Sequence, residues 1–309
     1  MSTEDTAQAY VPFDLMHDFM VDVFDAYGVP REDAEICTDV LIESDRRGIA
    51  SHGINRFKPI YLDRIKNGTL LPKTDIEILK ETPTTLVMDA HDGMGMVASY
   101  EMMKRLIEKA KTLGMAGGAI RNSTHYGIAG YWATMASDEG LIGITGTNAR
   151  PSIAPTFGVE NMLGTNPLTF ALPTDEDFPF CLDCATSISQ RGKIERYARE
   201  GSPTPAGMVI GRDGSAMTDS DEILKALVDG TAALAPLGGH RRGPRWLQGL
   251  RIRHRGRNPL CSPCRRRVHE GAHGRLSRGR SADVRSWALL LRGRPRCVHG
   301  ARYFQEDCG

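Results

Sequence analysis

The sequence predicts an α/β protein with a mixed or parallel sheet and a helical N-terminal part. Apolar residues recur at helical spacing through the N-terminal stretch. Farther on, short β runs alternate with helical stretches, the pattern of layered α/β folds. The 309 residues are 40% hydrophobic, enough for a sizeable core in one large domain or two ordinary ones.

Each element has its own signal. Phe13, Met16, Met20, Val23, Phe24 and Tyr27 mark a helix over 13–27, stopped by Gly28. Pro30 opens a second helix with Ala34, Cys37, Val40 and Leu41 on one face. A third is predicted over 56–67, with Gly68 as its left-handed cap. A strand follows at 84–88. Met102, Leu106, Ile107, Ala110 and Leu113 then place a helix over 98–113, ended by Gly114. Residues 115–121, 141–147, 168–172 and 180–184 read as strands, and 187–199 and 220–227 as helices. Asp213-Gly214 is a turn signal.

Composition excludes some classes. No apolar run reaches the roughly 18 residues of a membrane-spanning helix. The start, with Glu4 and Asp5, lacks the basic-then-apolar pattern of a secretory signal. Seven scattered cysteines read as reduced thiols of a cytoplasmic protein. The net charge of +1 hides two unlike parts. Residues 240–309 hold 18 Arg, no Lys and four acids, whereas residues 1–239 hold 21 basic and 34 acidic residues. The change falls after Pro236-Leu237-Gly238-Gly239.

Several motifs invite a chemical reading. Gly93-Met94-Gly95-Met96-Val97-Ala98 fits the glycine fingerprint of a dinucleotide loop. The strand after it ends in Arg121-Asn122, where such a site needs an acid. A glycine-rich turn opening a helix is the better reading. Ser51-His52-Gly53 precedes Arg56 and Tyr61. A His and an Arg one turn apart offer a proton donor and a carboxylate fork on one face. Equally, Ser51 suits an N-cap and Arg56 a solvated face. His125, in Asn122-Ser123-Thr124-His125-Tyr126-Gly127, follows a strand, where α/β proteins place their sites. It suits a general acid/base or a loop imidazole satisfied by backbone. Gly164-Thr165-Asn166-Pro167 and Asp183-Cys184-Ala185-Thr186-Ser187 are further polar turns, the second fit for helix capping or anion binding. Cys181 and Cys184 lie on a strand, the wrong place for a redox pair.

Ser-His-Gly-x-x-Arg, Asn-Ser-Thr-His-Tyr-Gly, Leu-Gly-Thr-Asn-Pro and Asp-x-Ala-Thr-Ser occur in this order. Together they resemble the type-2 malate/L-lactate dehydrogenase family, which includes ureidoglycolate, sulfolactate and cyclic-imine enzymes. The resemblance covers roughly residues 10–239. It implies a mixed sheet unlike the Rossmann fold, a homodimer, and an NAD or NADP site. It also implies hydride transfer between nicotinamide and a 2-hydroxy or 2-oxo acid, malate or lactate before others. Carried over by motif, His125 is the acid/base, Arg56 clamps the carboxylate, and His52, Ser51 and Tyr61 meet the substrate. Asn148, Asn166, Asp183, Ala185 and Thr186 lie by the cofactor. No metal is required, since the cofactor carries the hydride. Ala149 departs from the pattern, which expects a small hydroxyl residue there.

The implied division is a helical part of the substrate and dimer domain at 1–75 and an α/β part with the NAD(P) site at 76–239. Residues 240–309 read as an Arg-rich, frameshifted and disordered tail. The family continues past Leu-Gly-Gly with a Gly-Tyr-Lys-Gly segment. Permitted codons for 246–253, read one base later, spell Gly-Tyr-Lys-Gly-Tyr-Gly-Tyr, and three later segments also regain dehydrogenase-like sequence. One extra base, or two lost, near codon 240 explains both this and the excess of Arg. The chain as written is then expected to be inactive or unfolded. The alternative is a degenerate, inactive dehydrogenase body with a basic nucleic-acid-binding tail. Cys261, Cys264, His269 and His273 lack the spacing of a zinc module.

Overall fold

The computed structural model describes residues 10–239 and 284–291. The remaining Arg-rich segments, with Cys261, Cys264, His269 and His273, lie outside the described residues, and so does the nucleic-acid reading of them.

Helices α1 (Phe13–Ala26) and α2 (Arg31–Arg46) form as the apolar spacing predicts. The single helix expected over 56–67 is instead three short pieces. A 3₁₀ turn (Ile54–Arg56) leads into a π-helical turn (Phe57–Leu62), then into α3 (Asp63–Lys66). Pro59 has no N–H to give an α-turn. The chain widens, and the Asp63 N–H reaches back five residues to the Lys58 carbonyl. Phe24 of α1 packs edge-on against Phe57, 4.7 Å between centroids, and against Tyr61.

The next elements are β1 (Glu77–Glu81), β2 (Thr85–Asp89), α4 (Gly95–Leu113), β3 (Met115–Ser123), α5 (Ala129–Asp138), β4 (Ile142–Thr147), β5 (Leu168–Leu172) and β6 (Phe180–Cys184). Then come α6 (Arg191–Arg199), β7 (Val209–Gly211), β8 (Ala216–Met217), α7 (Ser220–Asp229), β9 (Ala232–Leu234) and β10 (Val284–Leu291). β1 escaped the sequence reading because all five of its residues are exposed and show no alternation. α5 escaped it because small residues give no clear stripe, although Trp132 anchors it in the core.

The main sheet runs β1-β2-β3-β10-β4-β5-β6, with β2 and β3 parallel and every other neighbouring pair antiparallel. It is mixed, not the all-parallel sheet of a Rossmann domain. Helices α2 and α4 and the turn around Tyr61 share its core, with Leu86, Met88, Met96, Leu106 and Trp132. A smaller sheet, β8-β7-β9, packs with α6 and α7 around Ile153, Ile194, Val209 and Ile223. Strand β10 lies inside the stretch expected as a disordered tail. It occupies the centre of the main sheet, with Ala288 opposite Gly118 on one side and Thr145 on the other.

Candidate active site

The first site segment hangs from the end of α2. The Asp45 carboxylate accepts the Ile54 N–H at 2.7 Å and starts the 3₁₀ turn. The Ser51 hydroxyl lies 2.9 Å from His52 Nδ1, and Arg56 Nε donates to the Ser51 carbonyl at 2.6 Å. With Nε engaged, Arg56 keeps its terminal nitrogens for a ligand. Their present neighbour is the Glu195 carboxylate, 3.8 Å from Nη2.

The second segment is the loop after β3. A buried carboxylate, Asp89, accepts from Arg121 Nε at 2.6 Å and from the Asn122 amide, fixing the strand's end. Two residues on, the His125 ring stacks on His52, 5.6 Å between centroids and 17° from parallel. The Gly127 N–H donates to His125 Nδ1 at 3.2 Å, so Nδ1 bears a lone pair. The phenol of fully buried Tyr61, 2.6 Å away, is then a second donor to Nδ1. Both bonds leave the ring proton on Nε2. Gly127 can turn this tightly because its φ is +77°.

The electrostatics favour neutral rings. Burial first, then the charges of His52, Arg64 and Arg56, pull His125 down to about 3. Burial and the Arg56 charge also lower His52, with Asp183 opposing. Burial pushes the Tyr61 phenol well above its ordinary value, so it stays a proton donor.

The third segment is the turn before β5, paired with the end of β6 and the turn after it. Asp183 accepts the Gly130 N–H at 2.7 Å and the Thr169 hydroxyl at 2.8 Å. It thereby caps α5 from the neighbouring strand. Asn166 Oδ1 accepts the Ala149 N–H at 2.9 Å, tying the Asn148-Ala149 turn to this segment. The Thr186 hydroxyl donates to the Thr165 carbonyl at 3.1 Å and to that of Asn166.

Between these segments lies a cavity of about 390 Å³, within the ~300–1,000 Å³ of small-molecule sites. Ser51, His52, Asp183 and Ala185 line it, with Lys193 at the start of α6. Arg56, Tyr61 and His125 stand behind that wall, and Asn166 and Thr186 brace the far turn. Tyr61 is the departure from expectation: it meets His125 from the core side and has no exposed surface for a substrate. Sequence reasoning missed Ile128 and Ala129 at the α5 N-terminus, and Gln190 and Lys193 at that of α6, all of which line the cavity. Gly127 and Gln190 preceding helical stretches were the available signals. Two helix N-termini aimed at one cavity favour an anionic ligand. Among the described residues, no group of His, Cys, Asp or Glu is placed to hold a metal.

Known proteins resemble the chain over this body. A family model described as malate/L-lactate dehydrogenase matches residues 11–243. Malate dehydrogenase of Pyrococcus horikoshii is 45% identical over 229 residues, 74% of this chain and 62% of that one. L-sulfolactate dehydrogenase of Methanocaldococcus jannaschii is 41% identical over 220 residues, 71% of this chain and 62% of that one. The chain thus spans less than two thirds of these relatives. Its structure superposes on malate dehydrogenase from Entamoeba histolytica with a TM-score of 0.78 at 35% identity, covering 92% of this chain and 79% of that one.

Proposed function

The chain belongs to the malate/L-lactate dehydrogenase family, and from that premise we propose that it moves a hydride between NAD or NADP and a 2-hydroxy or 2-oxo acid, malate or lactate first. The observation that carries this is the stack of His125, its Nδ1 held by Tyr61 and Gly127, on the cavity-lining His52, with Arg56 bonded to the cavity-lining Ser51. That cavity exceeds what a small acid needs, and the α5 N-terminus opens onto it, so the residues present fit a dinucleotide. Asn148, Asn166, Asp183, Ala185 and Thr186 would hold it. When bound, the nicotinamide supplies or accepts the hydride at C4.

The chain's own residues handle the carboxylate and the proton. Arg56 offers its terminal N–H pair to the carboxylate, and His52 covers the C2 oxygen. At rest, His125 presents an Nε2–H that polarises a 2-oxo group. Burial is the largest cause that depresses His125 and Arg56 the smallest, so a substrate carboxylate on Arg56 eases proton uptake by the imidazole only in part. The imidazolium then gives its Nε2 proton to the nascent alkoxide; its Nδ1–H is meanwhile accepted by the Tyr61 oxygen, the phenol proton turning to Met96 Sδ and the Gly127 contact letting go, and the ring regains its resting tautomer by exchange with solvent. In oxidation the same proton runs backward. We also propose the cytoplasm as its place, in keeping with the free Cys37, Cys181 and Cys184. Among the described residues no helix is long and apolar enough to cross a membrane. A homodimer is part of the proposal.

Residues 240–309 are read one base out of frame in this proposal. The composition change at residue 239 and the regained family-like segments support it. The activity test, on the frame-restored protein and its variant, is the absorbance of reduced nicotinamide with L-malate, L-lactate and their oxo acids. His125→Asn is expected to abolish turnover while leaving the fold intact. Equal rates in both proteins would remove the acid/base assignment.

A further inference from the structure

The glycine motif at 93–98 is not spent on a phosphate. Gly95 is the first residue of α4, and its Cα lies against the Thr124 carbonyl. A Cβ there would collide with that carbonyl and come within 2.8 Å of the His125 carbonyl. The Thr124 hydroxyl closes the contact in both directions. It donates to the Gly93 carbonyl at 2.7 Å and accepts the Gly95 N–H at 3.0 Å. Thr124 is itself buried, so no water replaces either bond.

We infer that Thr124 is a positioning residue for His125, clasping the loop to the Gly93–Gly95 turn so that the imidazole meets Tyr61 and Gly127. The rest of the loop is held at more distant points. Asp89 fixes Asn122 before it, and Trp132 Nε1 donates to the Tyr126 carbonyl after it, at 2.9 Å. Thr124 adjoins the imidazole directly. Its clasp sets the height of the His125 backbone above α4, and thereby the reach of Nδ1 toward two donors on different elements. A ring displaced by about 1 Å loses a bond of 2.6 Å to Tyr61. The inference rests on His125 as the acid/base, but its first readout does not need turnover.

The test is ¹⁵N NMR of histidine-labelled full-length protein, comparing wild type, Thr124→Val and Thr124→Ser. Wild type and Thr124→Ser are expected to show one His125 tautomer, protonated at Nε2 with Nδ1 hydrogen-bonded. Thr124→Val, of the same shape without the hydroxyl, is expected to show mixed tautomers at a melting temperature close to wild type. In protein that turns over, kcat should fall by about 10- to 100-fold in Thr124→Val, with KM for the nicotinamide unchanged and activity restored by Ser. Gly95→Ala keeps the hydroxyl but displaces the His125 backbone, and should shift the same ring signals. A single unchanged His125 tautomer in Thr124→Val overturns the inference. So does an equal loss of the signature in Val and Ser variants that melt early together. If the frame-restored protein shows no turnover but its ring signals respond as expected, the dehydrogenase reading fails and the positioning role stands.

Discussion

At the scale of single residues, the site is a neutral imidazole pair beside a cation. His52 and His125 stack in a half-buried wall where desolvation, then Arg64 and Arg56, make a further positive charge costly. The acid response follows from the sign of the shift. Unfolded, His125 takes a proton below about 6.5; folded, it resists until about 3. The unfolded state therefore binds more protons in that window, and stability should fall as pH drops through it. Urea midpoints measured across this range should slope less in His125→Asn than in wild type. Tyr61→Phe removes one of the two donors to Nδ1. It should lower kcat by about tenfold and shift the pH profile, while carboxylate affinity holds. Arg56→Lys loses the fork and should raise KM for the acid at least about tenfold, with cofactor KM unchanged. That Ser51, His52, Arg56 and His125 come together was legible from the order of the motifs that hold them. The place of Tyr61 was not, since nothing in a one-dimensional pattern says that it backs His125 from the core.

At the scale of elements, long apolar periodicity read correctly and local exceptions did not. α1, α2 and α4 have clear stripes, and the structure forms them within a few residues of the expected bounds. The π turn at Phe57–Leu62 was hidden because Pro59 forces a wider spacing than the α period assumed. That turn brings Tyr61, five residues beyond Arg56, back toward the same face. α5 was hidden by small residues, and with it one wall of the cavity. β10 has an apolar run at 287–291 but stands among arginines, which masked it. Its position makes a prediction about truncation. β3 and β4 pair only through β10, so a chain ending at residue 239 leaves two open central edges. Such a chain should aggregate or melt without a sharp transition, by circular dichroism and light scattering. A cooperative, monodisperse product ending at 239 would contradict this.

At the scale of the molecule, the family body and the Arg-rich remainder tell different stories. The body carries the candidate site residues on the loop after β3, on β6 and on the segment after α2, and it aligns with relatives of which it spans less than two thirds. The fold class and the mixed, non-Rossmann sheet were readable from motif order, because four motifs in register define the family better than any one glycine pattern. The closure of that sheet was not readable, since its central strand comes from the stretch whose composition breaks with the rest.

The most direct measurement is nicotinamide turnover by the frame-restored protein and by its His125→Asn variant, with L-malate and L-lactate. The expected result is turnover of one or both acids by the restored protein and a loss of at least about 100-fold in the variant. Equal rates in the two proteins, or no turnover of any 2-hydroxy acid by a folded restored protein, would contradict it.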